Sequence, residues 1–165
     1  MTESVQALPF SDIPLLVEQA FAIASGTPQA VRIEIPIEPL CPLKWLHAQN
    51  SDVKTYWADR QGEFTMAGIG AAHVVDGEIV APCFRTLFER IQQGLSCAQP
   101  SLRYYGGVRF DATRTSDPRW RRFGTYRFLV PRFELLATGS RCCFVCNAFC
   151  EDDDSVRDEV ESIRR

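Results

Sequence analysis

Apolar side chains recur at helical spacing in several stretches of the chain. In the first, Ser11 can cap the helix and Gly26 suits the left-handed residue at its end. In the last, Val156, Val160 and Ile163 form an apolar stripe. The predicted helices are Ser11–Gly26, Leu40–Ala48, an amphipathic helix from Phe84 to Leu95 that stops near Gly94, and one that begins near Asp154 or Ser155.

Other stretches alternate apolar and polar residues, which is typical of half-buried strands. VRIEI at 31–35 is the first, and we expect Pro36 and Pro39 to end it. Arg60–Gly62 and Asp76–Gly77 are predicted turns, the first of them inside an antiparallel hairpin. The predicted strands are 31–35, 53–59, 64–75, 102–111, 125–137 and 141–149. The pattern contains no repeat or linker, so it predicts one α+β unit over residues 1–165, built from antiparallel sheets with flanking helices.

Composition agrees with a folded domain and argues against nucleic acid as a partner. The 165 residues are 45% hydrophobic and 24% charged, and the net charge is -3. A nucleic-acid-binding surface is normally basic. Eight arginines fall between Arg103 and Arg132, however, and an acidic run follows at 151–154. We interpret that run as a solvated cap, because carboxylates favour the positive end of a helix.

The amino-terminal residues indicate neither export nor membrane insertion. MTESVQALPF lacks a basic segment, and no apolar run approaches membrane-spanning length. We therefore predict a cytoplasmic protein without a membrane partner. In that compartment the seven cysteines are expected to be mostly reduced thiols.

Four cysteines cluster near the end of the chain and suggest a metal site. Cys143 and Cys146 have the C-x2-C spacing that structural zinc sites use. The neighbouring Phe144, Val145 and Phe149 favour a buried strand instead, which would place those two thiols on opposite faces. We predict core cysteines, with metal or redox chemistry as the alternative.

Two other motifs have structural explanations. Gly68-Ile69-Gly70 resembles the start of a dinucleotide fingerprint, but neither a third glycine nor a helix follows as that motif requires. We expect these glycines to admit a close neighbour on one strand face. His47 and His73 are the only histidines, and both are interpreted as structural.

Residues 103–110, RYYGGVRF, partly match an RNA-binding octamer. Tyr105 supplies one stacking aromatic of that motif, but Gly107 occupies the position of the other. We therefore interpret the stretch as a framework strand in which the adjacent glycines let a neighbouring element approach. A non-catalytic RNA-binding or Cys-rich module is the alternative.

The order of several short motifs resembles one enzyme family. VRIEIPIEPLCPLKWLHAQ, YWADRQGEF, MAGIGAA, RYYGGVRFD, Trp120 and FLVPRFEL follow one another in the chain. From about Val31 to Phe149 this resembles the N-terminal portion of isochorismate synthases, within the wider family of chorismate-using enzymes. The resemblance implies an incomplete part of an αββα fold, with chorismate as the substrate of the complete enzyme. Its product, isochorismate, feeds menaquinone, siderophore or salicylate synthesis.

The same resemblance implies that the catalytic groups lie outside this sequence. Family members use Mg2+, a lysine base and a glutamate acid, all from a larger C-terminal part. Lys44 and Lys54, the only lysines, fall in the framework region. We therefore assign no catalytic, cofactor-binding or metal-binding residue and expect no Mg2+ on this chain.

The sequence is expected to be a fragment whose partner is a separate or missing C-terminal catalytic part. Such a chain alone should be inactive and unstable, with Phe128, Val130 and Phe133 on the uncovered sheet surface. Anthranilate, aminodeoxychorismate and salicylate synthases are the alternatives within the family.

Overall fold

The structure of the chain is a computed structural model that describes residues 13–23, 29–78, 84–96, 101–111, 117–120, 123–150 and 155–164. The predicted Ser11 cap, the Gly26 helix end and the acidic run at 151–154 lie outside these residues. The helices are α1 (Ile13–Ile23), α2 (Pro42–Ala48), α3 (Arg85–Ser96) and α4 (Ser155–Arg164). The strands are β1 (Gln29–Ile37), β2 (Lys54–Ala58), β3 (Phe64–Ile69), β4 (His73–Gly77), β5 (Tyr105–Val108), β6 (Tyr126–Val130), β7 (Phe133–Thr138) and β8 (Arg141–Cys150).

Five antiparallel strands form sheet A, in the order β1-β8-β7-β3-β2. One face of this sheet is apolar because alternate residues of neighbouring strands are in register, as in the pairs Val31–Ala148 and Ile33–Cys146. Helices α1, α2 and α4 contact sheet A. The apolar stripe of α4, through Val160 and Ile163, joins the core that α1 and this face form, as the helical spacing predicted.

Sheet B is smaller, with the order β4-β6-β5. Its cover is α3, whose Leu87 is buried with Val75 and Tyr126. The α+β class with antiparallel sheets and flanking helices is therefore confirmed. In the part of the chain that the structure describes, no helix is long and apolar enough to cross a membrane.

Two of the predicted strands are each divided between the sheets. The stretch 64–75 becomes β3 and β4, because Gly70 has a positive φ of 65° that ends β3. The stretch 125–137 becomes β6 and β7, with Pro131 between them. The ladder continues around the bend, since Ala72 N donates to Val130 O (2.8 Å) and Arg132 N donates to Ile69 O (3.1 Å). We call residues 70–72 with 131–132 the corner; strands that switch sheets commonly bend in this way.

The corner also explains the glycines of the Gly-x-Gly motif. A Cβ on Gly68 would lie 2.7 Å from Pro131, and a Cβ on Gly70 would lie 3.0 Å from Cβ of Arg132. The predicted close neighbour is therefore confirmed.

Several predicted boundaries were wrong for local reasons. Strand β1 continues through Pro36, because β1 is an edge strand and its outer side needs no N–H donor. Asp76–Gly77 is not a turn but the end of β4, where Asp76 is opposite Arg127. Helix α3 continues past Gly94 to Ser96, and the strand predicted at 102–111 is limited to β5.

Candidate functional site

A cluster of buried polar side chains, which we call the polar cluster, lies on the non-helical face of sheet A. Arg32 of β1, Glu134 of β7 and Asn147 of β8 are its members, and each is at most 6% exposed. Arg32 Nη1 donates to Glu134 Oε1 (3.1 Å) and to Asn147 Oδ1 (3.0 Å), while Asn147 Nδ2 donates to Glu134 Oε1 (2.6 Å). The strand register places Asn147 opposite Arg32, so the cluster follows directly from the sheet.

Asn147 also connects the polar cluster to the corner. Its Nδ2 donates to Pro131 O at 2.8 Å, and its backbone N donates to Arg132 O at 2.9 Å. Arg132 in turn pairs with Glu159 of α4, whose carboxylate accepts from Phe149 N at 2.9 Å. The corner and α4 are therefore held by one continuous set of hydrogen bonds.

The charges of the polar cluster are not fully compensated. Burial raises the pKa of Glu134, and the attraction and hydrogen bonds of Arg32 and the hydrogen bond of Asn147 offset this only in part. Burial lowers the pKa of Arg32, but its two glutamate partners, Glu134 and Glu34, outweigh that effect and raise it overall. Glu134 Oε2 is buried and accepts no hydrogen bond from the described residues. The cluster thus contains a buried carboxylate oxygen that lacks a donor.

Tyr105 of β5 is close enough to this carboxylate to respond to its charge. Its side chain is 9% exposed, and burial followed by the Glu134 charge raises its pKa to about 12, against the opposing effect of Arg103. A buried phenol cannot stack on a base, so the framework interpretation of RYYGGVRF is confirmed for β5. Gly106 is the glycine that admits a neighbour, because a Cβ there would overlap the Arg127 carbonyl, whereas Gly107 has open space.

The polar cluster was not predicted from the sequence. Alternation in VRIEI suggested that Arg32 would face solvent, but sheet B covers that face. A usable signal was present in the strands themselves, because Arg32 and Glu134 are oppositely charged residues among apolar neighbours. Buried charges are normally paired, so two positions of opposite charge among apolar residues of predicted strands suggest a partnership.

The cysteines of β8 lie mostly in the core, as predicted. Cys142, Cys146 and Cys150 are buried on one face, and Cys143 lies on the other. Burial raises the pKa of Cys146 to about 12, so its thiol is a poor nucleophile and metal ligand. Within the described ranges, no three His, Cys, Asp or Glu residues are arranged to hold a metal ion.

The two histidines differ in their surroundings. His73 stacks on Phe149 with a centroid distance of 4.8 Å, and its Nδ1 lies 2.6 Å from the Tyr104 hydroxyl. The prediction of a satisfied structural histidine is therefore confirmed for His73. His47 is exposed in the last turn of α2, where a basic side chain interacts favourably with the negative end of the helix dipole.

Two apolar cavities lie on either side of sheet A. One, of about 650 Å³, lies on the helical face and is lined by Ile13, Trp45, Phe133 and Phe144 among others. The second, of about 770 Å³, is the aromatic groove; its lining includes Trp57, Asp59, Phe64, Phe88, Leu95, Arg103, Tyr104 and Phe128. Arg103 lies over the Phe64 ring at 4.8 Å from its centroid.

The predicted uncovered surface is only partly correct. Phe133 and Phe128 are partly buried and line the first and second cavity respectively. Val130 is fully buried, because the bend at Pro131 turns this end of β6 into the interior of the chain itself.

Family comparison defines the class of protein. The family model for chorismate binding enzymes matches residues 16–165, so the chain belongs to the chorismate-binding enzyme family. Its relatives include two plant proteins. Isochorismate synthase 2, chloroplastic, of Arabidopsis thaliana is 30% identical over 127 residues, which is 64% of this chain and 22% of the relative. Isochorismate synthase, chloroplastic, of Catharanthus roseus is 26% identical over 181 residues, covering 81% of this chain and 31% of the relative.

A solved structure has the same fold. MenF, the menaquinone-specific isochorismate synthase from Escherichia coli, matches with a TM-score of 0.61 and 20% identity, over 94% of this chain and 34% of that chain. The chain therefore spans only about a fifth to a third of the length of these relatives.

Proposed function

We propose that this chain is the framework part of an enzyme that isomerises chorismate to isochorismate. Membership of the chorismate-binding family supports the substrate, and the names of its relatives support the reaction. A framework role fits the polar cluster and the corner, which stabilise the packing of two sheets and present no nucleophile or proton donor to solvent.

The reaction itself requires groups that we assign to other parts of the family fold. Lys44 and Lys54 are both exposed, on α2 and β2, and neither lines the two cavities described above. The chain alone is therefore proposed to be inactive, with catalysis supplied by a partner segment or polypeptide.

Magnesium is proposed for the complete enzyme only. Mg2+ prefers several oxygen ligands, usually carboxylates and water. In the polar cluster, a single buried carboxylate is paired with the guanidinium of Arg32, which repels a cation. The described residues therefore do not fit the ion.

The product identifies the reaction within the family. In a chimera, this chain would replace the matched segment of the Arabidopsis isochorismate synthase 2, and chorismate with Mg2+ would be supplied. We expect isochorismate as the chromatographically identified product. Anthranilate or aminodeoxychorismate in the presence of ammonia, or salicylate, would instead indicate one of the other chorismate enzymes.

A further inference from the structure

On the outer side of strand β2, the backbone hydrogen-bonding groups pair with no strand among the residues that the structure describes. Gly70 N donates to Val53 O at 3.0 Å, and Asp59 N donates to Phe64 O at 3.1 Å. The backbone N–H and C=O groups of the odd-numbered residues in this segment therefore point toward β3. Antiparallel strands alternate, and the N–H and C=O groups of Lys54, Tyr56 and Ala58 therefore point away from β3. No described strand pairs with that side, because β2 is the last strand of sheet A.

The opposite edge of sheet A is protected, whereas the β2 edge is not. Strand β1 carries Pro36, a residue that blunts strand edges, and α1 contacts β1. Strand β2 instead exposes Tyr56 and Trp57, at 46% and 47% of their surfaces. An exposed edge with aromatic side chains is typical of a site that accepts another strand.

The aromatic groove begins where β2 ends. Trp57 and Asp59 line its β2 side, and Phe88 and Leu95 of α3 line it while 63% and 39% exposed. A contiguous exposed apolar surface of this kind indicates an interaction site. Asp59 Oδ1 is buried and accepts no hydrogen bond from the described residues.

From these features we infer that the β2 edge and the aromatic groove form one docking site for an extended segment of the chorismate-binding fold that this chain does not span. The relatives are about three to five times longer than the part matched here, so the family fold contains the polypeptide needed to fill it. The inference rests on the proposed function. Backbone pairing along β2 would hold the segment, and its apolar side chains would enter the groove.

Hydrogen exchange tests the backbone part of this inference. The segments of the Arabidopsis relative outside the aligned region, produced as one polypeptide, would be mixed with the 165-residue chain. We expect the amides of Lys54, Tyr56 and Ala58 to become protected on mixing, while those of Thr55 and Trp57 are already protected by β3. No complex, or a complex that leaves the three outer amides unprotected, would overturn the docking site.

Paired variants separate the edge from the groove. Ala58→Pro removes an outward N–H, and Ala58→Ser keeps it. Trp57→Asp places a charge in the groove, and Trp120→Asp places the same charge at another exposed tryptophan, 62% exposed, that does not line it. We expect Ala58→Pro and Trp57→Asp each to weaken binding about tenfold or more, and the two controls to leave it unchanged. Equal effects of variant and control would contradict the inference.

Two further outcomes are distinguishable. Protection of the β2 edge that appears without the added polypeptide and is lost on dilution would assign the site to a second copy of this chain, which overturns the proposal. Docking at β2 without isochorismate formation would refute the proposed function alone, whereas isochorismate formation with exposed β2 amides would refute the docking site alone.

Discussion

At the residue scale, the Arg32–Glu134 pair is a buried ion pair whose disruption is expected to be costly. Both side chains are almost fully buried, at 3% and 1% exposure, and their separation is 3.1 Å. Removal of one member of such a pair leaves the other charge uncompensated, which is costlier than replacement of both by apolar groups.

We expect Arg32→Met to destabilise the chain by about 3 kcal/mol at pH 7, measured by urea unfolding. The pKa of Glu134 is already raised, and loss of Arg32 raises it further. Because the folded-state pKa of Glu134 is raised, its protonation contributes to the free energy of unfolding. That contribution is fully present below the unfolded pKa of 4.5 and is lost as pH rises through the folded pKa. The variant should therefore approach wild-type stability toward acid pH, and the double variant Arg32→Met/Glu134→Leu should recover stability at pH 7. A destabilisation that is independent of pH would contradict this account.

Adjacent glycines in β5 give a second residue-scale prediction. Gly106→Ala should cost about 2 kcal/mol, because the new Cβ overlaps the Arg127 carbonyl and lies 2.6 Å from Cα of Phe128. Gly107→Ala meets nothing within 4 Å and should change the unfolding free energy by less than about 0.5 kcal/mol. Comparable losses in the two variants would show that β5 and β6 are not as close as described.

At the element scale, the corner is where the paired strands β3 and β7 of sheet A continue into β4 and β6 of sheet B. Gly70 ends β3, Pro131 separates β6 from β7, and Asn147 donates to the Pro131 carbonyl. The corner, rather than any single strand, therefore fixes the relative position of the sheets.

Gly70→Ala tests the corner against a matched glycine. Gly139 has a similar φ of 58°, and a Cβ built on it would meet nothing within 4 Å. Gly139→Ala should therefore lower the free energy of unfolding only by the backbone strain of about 1–2 kcal/mol. Gly70→Ala should lose more, since its Cβ would also lie 3.0 Å from Arg132. Equal losses in thermal or urea unfolding would mean that the crowding has no energetic effect.

Periodicity predicted the elements well where one face is apolar and the other exposed. Helices α3 and α4 have this character, and they occur where the pattern placed them. The pattern failed at the corner. The strand-like pattern continues from β3 into β4 and from β6 into β7, so each pair was predicted as one strand. It also failed for Arg32 and Glu134, since alternation within a strand cannot show that a second sheet covers its polar face.

At the scale of the whole molecule, the described residues form a buried core beside an exposed groove. Apolar residues of sheet A are buried against α1 and α4, while Trp57 and Phe88 of the aromatic groove remain substantially exposed. These features agree with a framework that belongs to a larger fold of the chorismate-binding family.

The exposed groove leads us to expect weak self-association of the isolated chain at high concentration, without protection of the outer β2 amides. Trp57→Asp should reduce light scattering at a fixed protein concentration, and Trp120→Asp should reduce it less. An unchanged or increased signal for Trp57→Asp would place the association elsewhere on the surface.

The central claim is that this chain is a framework whose catalytic groups lie in other parts of the family fold. The most direct test is a chorismate turnover assay on purified residues 1–165 with excess Mg2+. The account predicts no isochorismate above the uncatalysed background, and formation of isochorismate once the remaining part of the fold is supplied. Robust turnover by the 165-residue chain alone would contradict it.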